Sequence, residues 1–155
     1  MAELLAVVRL RGSIKARKEV VDTLRMMGLT RVNHCVLLRK GPSEEGMLRK
    51  VKDMVTWGEV NRETLIQLLR KRGRLRGELP LTEERVREMG FSSLEELADA
   101  LLEGKVRVKD LPGMKKVFRL HPPRGGYRAI KKHLSQGGDL GYRGEGINEL
   151  ILRML

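Results

Sequence analysis

The chain has 155 residues, 41% hydrophobic and 34% charged, which is enough apolar material for one packed domain and too much for a disordered tail. A net charge of +12 points to a polyanionic partner. No apolar run approaches the roughly 20 residues of a membrane-crossing helix, no signal peptide is expected, and the single cysteine, Cys35, excludes an internal disulfide and fits a reducing cytoplasm.

Residues 4–11 (LLAVVRLR) are apolar and β-branched and then alternate with Arg9 and Arg11, the pattern of a strand with a basic exit. Val20, Val21, Leu24 and Met27 follow at the spacing of an amphipathic helix, which Gly28 and Leu29 close as a Schellman end. A second strand is expected over 32–39. Pro42, Ser43, Glu44 and Glu45 then open a short helix with acids in its first turn, striped by Met47, Leu48 and Val51. A third strand over 54–60 completes a β-α-β-α-β order, read as a sheet with helices on one face.

Beyond Asn61, a candidate N-cap, the pattern is helical. Leu65, Ile66, Leu68 and Leu69 form one stripe, which Gly73 ends. Thr82 caps a helix stapled by Leu81 and Val86, and Ser93 with Glu96 forms a capping box before Leu94, Leu97, Ala98, Leu101 and Leu102. Residues 106–111 and 115–120 are each expected to add a short strand. A last helix carries Ile147, Leu150, Ile151 and Met154. The chain therefore divides into a β-α-β-α-β core over 1–60, a helical and partly acidic extension over 61–114, and a basic Gly/Pro-rich arm with a C-terminal helix over 115–155.

Charge is segregated along this order. Residues 115–133 (KKVFRLHPPRGGYRAIKKH) hold seven Lys or Arg and no acid. Packing so many like charges into a core would cost repulsion and desolvation that only a polyanion offsets. The Gly and Pro residues point to an extended arm able to follow an irregular surface. Residues 78–104, in contrast, hold eight acids against Arg85 and Arg87, a net −6 that leaves +18 on the rest of the chain. One face is expected on the polyanion, with the acidic part turned away.

Four basic groups are candidates for binding. Arg9, Arg11, Lys15, Arg17 and Lys18 run off the first strand, and Arg39 and Lys40 end the second. These two strand ends are expected to deliver cations to one edge of the sheet. Arg70, Lys71 and Arg72 belong to a basic run over 70–76. Arg119, Arg124, Arg128, Lys131 and Lys132 lie in the arm, and Arg143 follows it between two glycine groups. A single charge run is usually a solvated surface; four in one chain point to nucleic acid.

Catalysis finds little support. The three histidines are not clustered at metal-ligand spacing, Cys35 lacks a motif that would activate it, and the glycines near 137–146 match no phosphate-loop pattern. No enzyme, cofactor or metal is expected. Aromatics make up only 3%, so no base-stacking platform is expected, and the best pair of consecutive helices is acidic, the wrong charge for a major-groove reader. Phosphate and shape recognition of folded RNA fits best. The rivals are a DNA-binding regulator, a membrane-surface protein, and an RNA-associated assembly factor or RNA-processing enzyme.

The stretch from LAVVRLRGSIKARKEVVDTLRMMGLTRVNHCVLLRKGPSEEGMLRKVKDMVTWGEV resembles the core of the large-ribosomal-subunit proteins numbered thirty. The remainder, ending FRLHPPRGGYRAIKKHLSQGGDLGYRGEGINELILRML, is similar to the longer archaeal form, related to eukaryotic large-subunit protein seven. The ordered blocks carry the resemblance, which covers nearly the whole chain. It implies an α+β fold with a three-stranded antiparallel sheet, helices on one face, a helical extension and a basic Gly-rich arm. It further implies a cytoplasmic structural constituent of the large ribosomal subunit. Its partners would be large-subunit ribosomal RNA, 5S ribosomal RNA and neighbouring ribosomal proteins, with no obligate homo-oligomer.

Overall fold

The computed structural model describes residues 3–155, so the first two positions of the 1–60 segment lie outside the described residues. Strands β1 (Leu4–Arg9), β2 (His34–Arg39) and β3 (Val55–Glu59) alternate with helices α1 (Lys18–Met27) and α2 (Pro42–Val51). β1 is central and antiparallel to both neighbours, with Val7 opposite Val36 on one side and Trp57 on the other. α1 ends as the glycine predicts: Gly28 adopts φ 90°, and the Leu29 amide donates to the Leu24 carbonyl at 2.8 Å.

The sheet is larger than three strands and mixed. Two further strands extend it, β6 (Val117–Arg119) antiparallel on β2 and β7 (Gly141–Tyr142) parallel on β3, giving the order β6-β2-β1-β3-β7. Between α3 (Arg62–Arg72) and β6 in sequence, β4 (Arg74–Leu75) and β5 (Leu79–Pro80) form a small separate hairpin. The expected strand over 106–111 is instead a single 3-10 turn at Val108–Asp110. There the Asp110 carboxylate accepts from the Arg107 amide at 3.1 Å, a local bond that competes with extended pairing.

Helices cover both faces, which corrects the one-face expectation. Leu5 and Val7 pack with Leu24, Leu48 and Val51 beneath α1 and α2. Leu4, Ala6, Val8 and Cys35 point the other way, into a larger core. That core is built with α3 (Arg62–Arg72), α4 (Glu83–Glu88), α5 (Leu94–Glu103) and α6 (Gly146–Met154). Every residue of β1 is buried as a result. An unbroken apolar strand is what burial on both faces requires. The caps are mostly those predicted: the side chains of Asn61, Thr82 and Ser93 accept from the amides of Thr64, Arg85 and Glu96. The capping box is displaced by one residue, since the Glu96 carboxylate takes the Ser92 amide at 2.9 Å.

The basic segment is no free arm. It leaves the helical extension at β6, crosses one end of the sheet and returns on the opposite edge as β7. Phe118, Leu120, Leu140 and Ile147 are buried in the larger core and anchor it. The Tyr127 hydroxyl donates to Asn33 Oδ1 at 2.6 Å. At Gly58, a side-chain carbon would fall 1.9 Å from the Gly144 carbonyl oxygen, so the return strand sits against backbone with no room for a methyl group.

Candidate nucleic-acid interface

Antiparallel pairing decides where the cations go. The exit of β1 and the starts of β2 and β3 share one end of the sheet, as Arg9 lies opposite Val55 and Val8 opposite Cys35. Arg39 pairs with Leu4, five residues back along β1, so it stands about 17 Å away at roughly 3.4 Å per residue. The expectation that both strand ends serve one edge is thus corrected: consecutive antiparallel strands exit at opposite ends.

Arg9 builds the first of these ends without facing it. It is 3% exposed, and its guanidinium donates to the Leu29 carbonyl (2.9 Å), the Arg11 carbonyl (2.8 Å) and Ser13 Oγ (2.7 Å). Burial lowers its pKa, though a guanidinium remains charged at neutral pH. It ties the loop after β1 to the loop before β2. From that braced loop Lys15, Arg17 and Lys18 project into solvent, Lys15 at φ 61°. Arg11 is half-exposed and donates to the Asp53 carbonyl at 3.1 Å.

The crossing segment adds the second half. Buried Asp139 accepts from the Arg128 amide (2.5 Å) and the Ala129 amide (3.0 Å), turning the chain so that Arg128, Lys131 and Lys132 are exposed. Among the described residues the side chains of these three make no hydrogen bond or ion pair. His133 Nε2 lies 2.6 Å from Asp53 Oδ1, joining this loop to the start of β3. Exposed Arg124 donates weakly to the Leu152 carbonyl (3.4 Å), and exposed Arg119 pairs with Glu78 at 3.2 Å. The Asp139 carboxylate, the buried acid here, also holds Arg143 at 3.2 Å.

Other candidates lie elsewhere or serve the fold. Arg143 is 9% exposed at its side chain and donates to Thr56 Oγ1 and the Asp139 carbonyl, both at 2.8 Å. Arg39 donates to the Leu102 carbonyl (3.1 Å) and the Leu101 carbonyl, capping α5. Lys40 is exposed at the same far end. There Glu3, Glu59, Glu145 and Tyr142 line a cleft of about 470 Å³. The Tyr142 hydroxyl donates to Glu59 at 2.6 and 2.7 Å, which raises the phenol pKa to about 12. Arg70 pairs with Glu95 (3.0 Å), Lys71 is exposed and Arg72 is half-buried. With the Arg62–Asp99 pair (2.8 Å), the Arg70–Glu95 contact laces α3 to α5, a structural use of acids that sequence reasoning missed. It also passed over exposed Arg31, just before β2, and over Lys115 and Lys116, which lie in the basic run and line a cavity with His34 and Arg119.

Exposed cations of the β1 exit loop and the crossing segment therefore gather at one end, Lys40, Arg70 and Lys71 are exposed elsewhere, and carboxylates line the far cleft and stand on α4 and α5. Among the described residues no group of three or more His, Cys, Asp or Glu is placed to hold a metal ion, and no helix is long and apolar enough to cross a membrane. Cys35 is fully buried, and burial pushes its thiol up to about 12. At pH 8 it should resist iodoacetamide in the native state and react at once in denaturant; fast native labelling would show that the sheet opens around it.

This arrangement can be set beside known proteins. The model of the family described as Ribosomal protein L30p/L7e matches residues 5–55. Similar along nearly the whole chain is the large ribosomal subunit protein uL30 of Thermofilum pendens, 51% identical over 154 residues, covering 98% of this chain and 99% of that protein. The protein of the same name from Nanoarchaeum equitans is also 51% identical with the same coverage. That of Archaeoglobus fulgidus is 50% identical over 152 residues, covering 97% and 99%.

Proposed function

The chain belongs to the ribosomal protein L30p/L7e family, and on that premise we infer that it is a structural constituent of the large ribosomal subunit. It is not an enzyme, and it works in the cytoplasmic ribosome. Its partners are ribosomal RNA and neighbouring ribosomal proteins. The observation that carries the mode of binding is the convergence of exposed cations from the β1 exit loop and the crossing segment on one end of a rigid sheet.

The RNA-facing set on this reading is Arg11, Lys15, Arg17, Lys18, Arg119, Arg124, Arg128, Lys131 and Lys132. Phosphate contacts at these positions fix register and orientation, and the folded backbone supplies the shape. Arg9, Arg39 and Arg143 act one step removed, by holding the loops that carry the others. Lys40, Arg70, Lys71 and Arg72 meet RNA on other faces. The segments 1–60 and 115–155 then do most of the RNA work, while 61–114 adds only the cations at the end of α3 and turns its acids away. The 5S RNA is the second ligand that the archaeal length favours. The chain enters assembly as a monomer, a reading supported by the short strands that close both sheet edges.

Equilibrium binding to large-subunit ribosomal RNA and to duplex DNA, both in 150 mM salt, tests the mode. Shape readout of folded RNA predicts an RNA preference of roughly tenfold or more. Equal affinity for both would reduce the interaction to bare charge and remove the proposed interface.

A further inference from the structure

Beside the cationic end lies a second basic feature, which shares only Arg119 with the proposed interface. Thr30, His34, Lys115, Lys116, Val117 and Arg119 line a cavity of about 270 Å³ between the exit of α1 and strand β6. His34 and Arg119 face each other in the β2–β6 ladder. Lys116 is tethered at the rim, its Nζ donating to the Met26 carbonyl at 3.3 Å. The β4–β5 hairpin turns through Gly77 and Glu78, both in the left-handed region, and brings the Glu78 carboxylate onto this group. One oxygen meets Lys115 and the other lies 3.2 Å from Arg119 Nη1.

We propose that this pocket seats one backbone phosphate of the bound RNA, and that Glu78 occupies the phosphate's cations until the RNA displaces it. The inference rests on the RNA-binding reading above and adds to it a ligand group, a site and a built-in competitor. A carboxylate bridging Lys115 and Arg119 is a fair mimic of a phosphate bridging the same two groups, because both present two acceptor oxygens to paired donors. Burial, and then the charges of Arg119, Arg31 and Arg9, hold the His34 imidazole below its ordinary pKa. The positive field that discourages a second proton on that ring attracts an anion to the same place. Its Nδ1 is buried without a hydrogen-bond partner among the described residues. The Thr30 hydroxyl supplies a neutral donor at the wall. The Glu78 pairs are largely exposed and therefore weak, which suits a contact that must open.

The sign of one substitution separates this from general electrostatics. Full-length Glu78→Gln is compared with Glu88→Gln, which removes the same charge from exposed α4, and with Lys115→Ala/Arg119→Ala. All are titrated with large-subunit ribosomal RNA across a salt series. Glu78→Gln should tighten binding roughly threefold to tenfold and Glu88→Gln by less than about twofold, the double variant losing roughly tenfold and about 0.7–0.9 of salt slope. Glu78→Gln matching Glu88→Gln, while the wild-type protein binds normally, overturns the pocket and leaves the RNA reading standing. Failure of the wild-type protein to prefer RNA overturns both. Should the double variant melt early, the Glu78→Gln comparison decides alone.

Discussion

Replacing Asp139 with Ala should lower the unfolding free energy by about 3–5 kcal/mol, the usual cost of stranding one partner of a buried ion pair. Asp139 is 3% exposed and does three jobs at once. Its Oδ2 accepts from the amides of Arg128 and Ala129, and its Oδ1 pairs with Arg143. Without the carboxylate, two amides lose their acceptor and a guanidinium with 9% side-chain exposure loses its counter-charge. Arg143 keeps Thr56 Oγ1 and the Asp139 carbonyl, so the damage stays below that of a fully orphaned charge. At roughly 2–4 °C per kcal/mol for a chain of this size, the melting temperature should fall about 6–20 °C. Asp139→Asn, which keeps the shape and one acceptor, should fall between the two. A loss under about 1 kcal/mol would mean that the crossing segment is held by its apolar anchors alone.

The second large effect is on binding. Arg124, Arg128, Lys131 and Lys132 are exposed, and none supports the core. Replacing all four with Ala should leave the melting temperature nearly unchanged. It should weaken RNA binding by roughly 100-fold or more near 150 mM salt and reduce the slope of log affinity against log salt by up to about 3. The slope carries the information, since it counts phosphates neutralised and is blind to small structural adjustments. An unchanged slope would place these cations in solvent.

Much of the fold was legible because local chemistry agreed with global packing. Asn61, Thr82 and Ser93 cap where they stand in sequence, and Gly28 closes α1. The apolar run from Leu4 to Val8 also carried the sign of two covered faces, but reading only its later alternation hid it. What sequence order does not carry is long-range pairing. Arg9 and Arg39 both end basic strands, yet antiparallel register sends them to opposite ends, where each hydrogen-bonds internal carbonyls. Asp139, flanked closely by glycines, has the look of a turn residue; only the closed fold makes it a buried anchor. Most of the candidate cations did reach solvent, because long charged side chains stay there unless a partner pays their desolvation.

The most direct test of the ribosomal role is sedimentation of a lysate of the source cells through a high-salt gradient, with detection of this chain. Co-migration with the large subunit, persisting where loosely bound factors wash off, is the expected result. Recovery of the chain in the soluble fraction, with intact large subunits lacking it, would contradict a structural constituent and point to a transient factor.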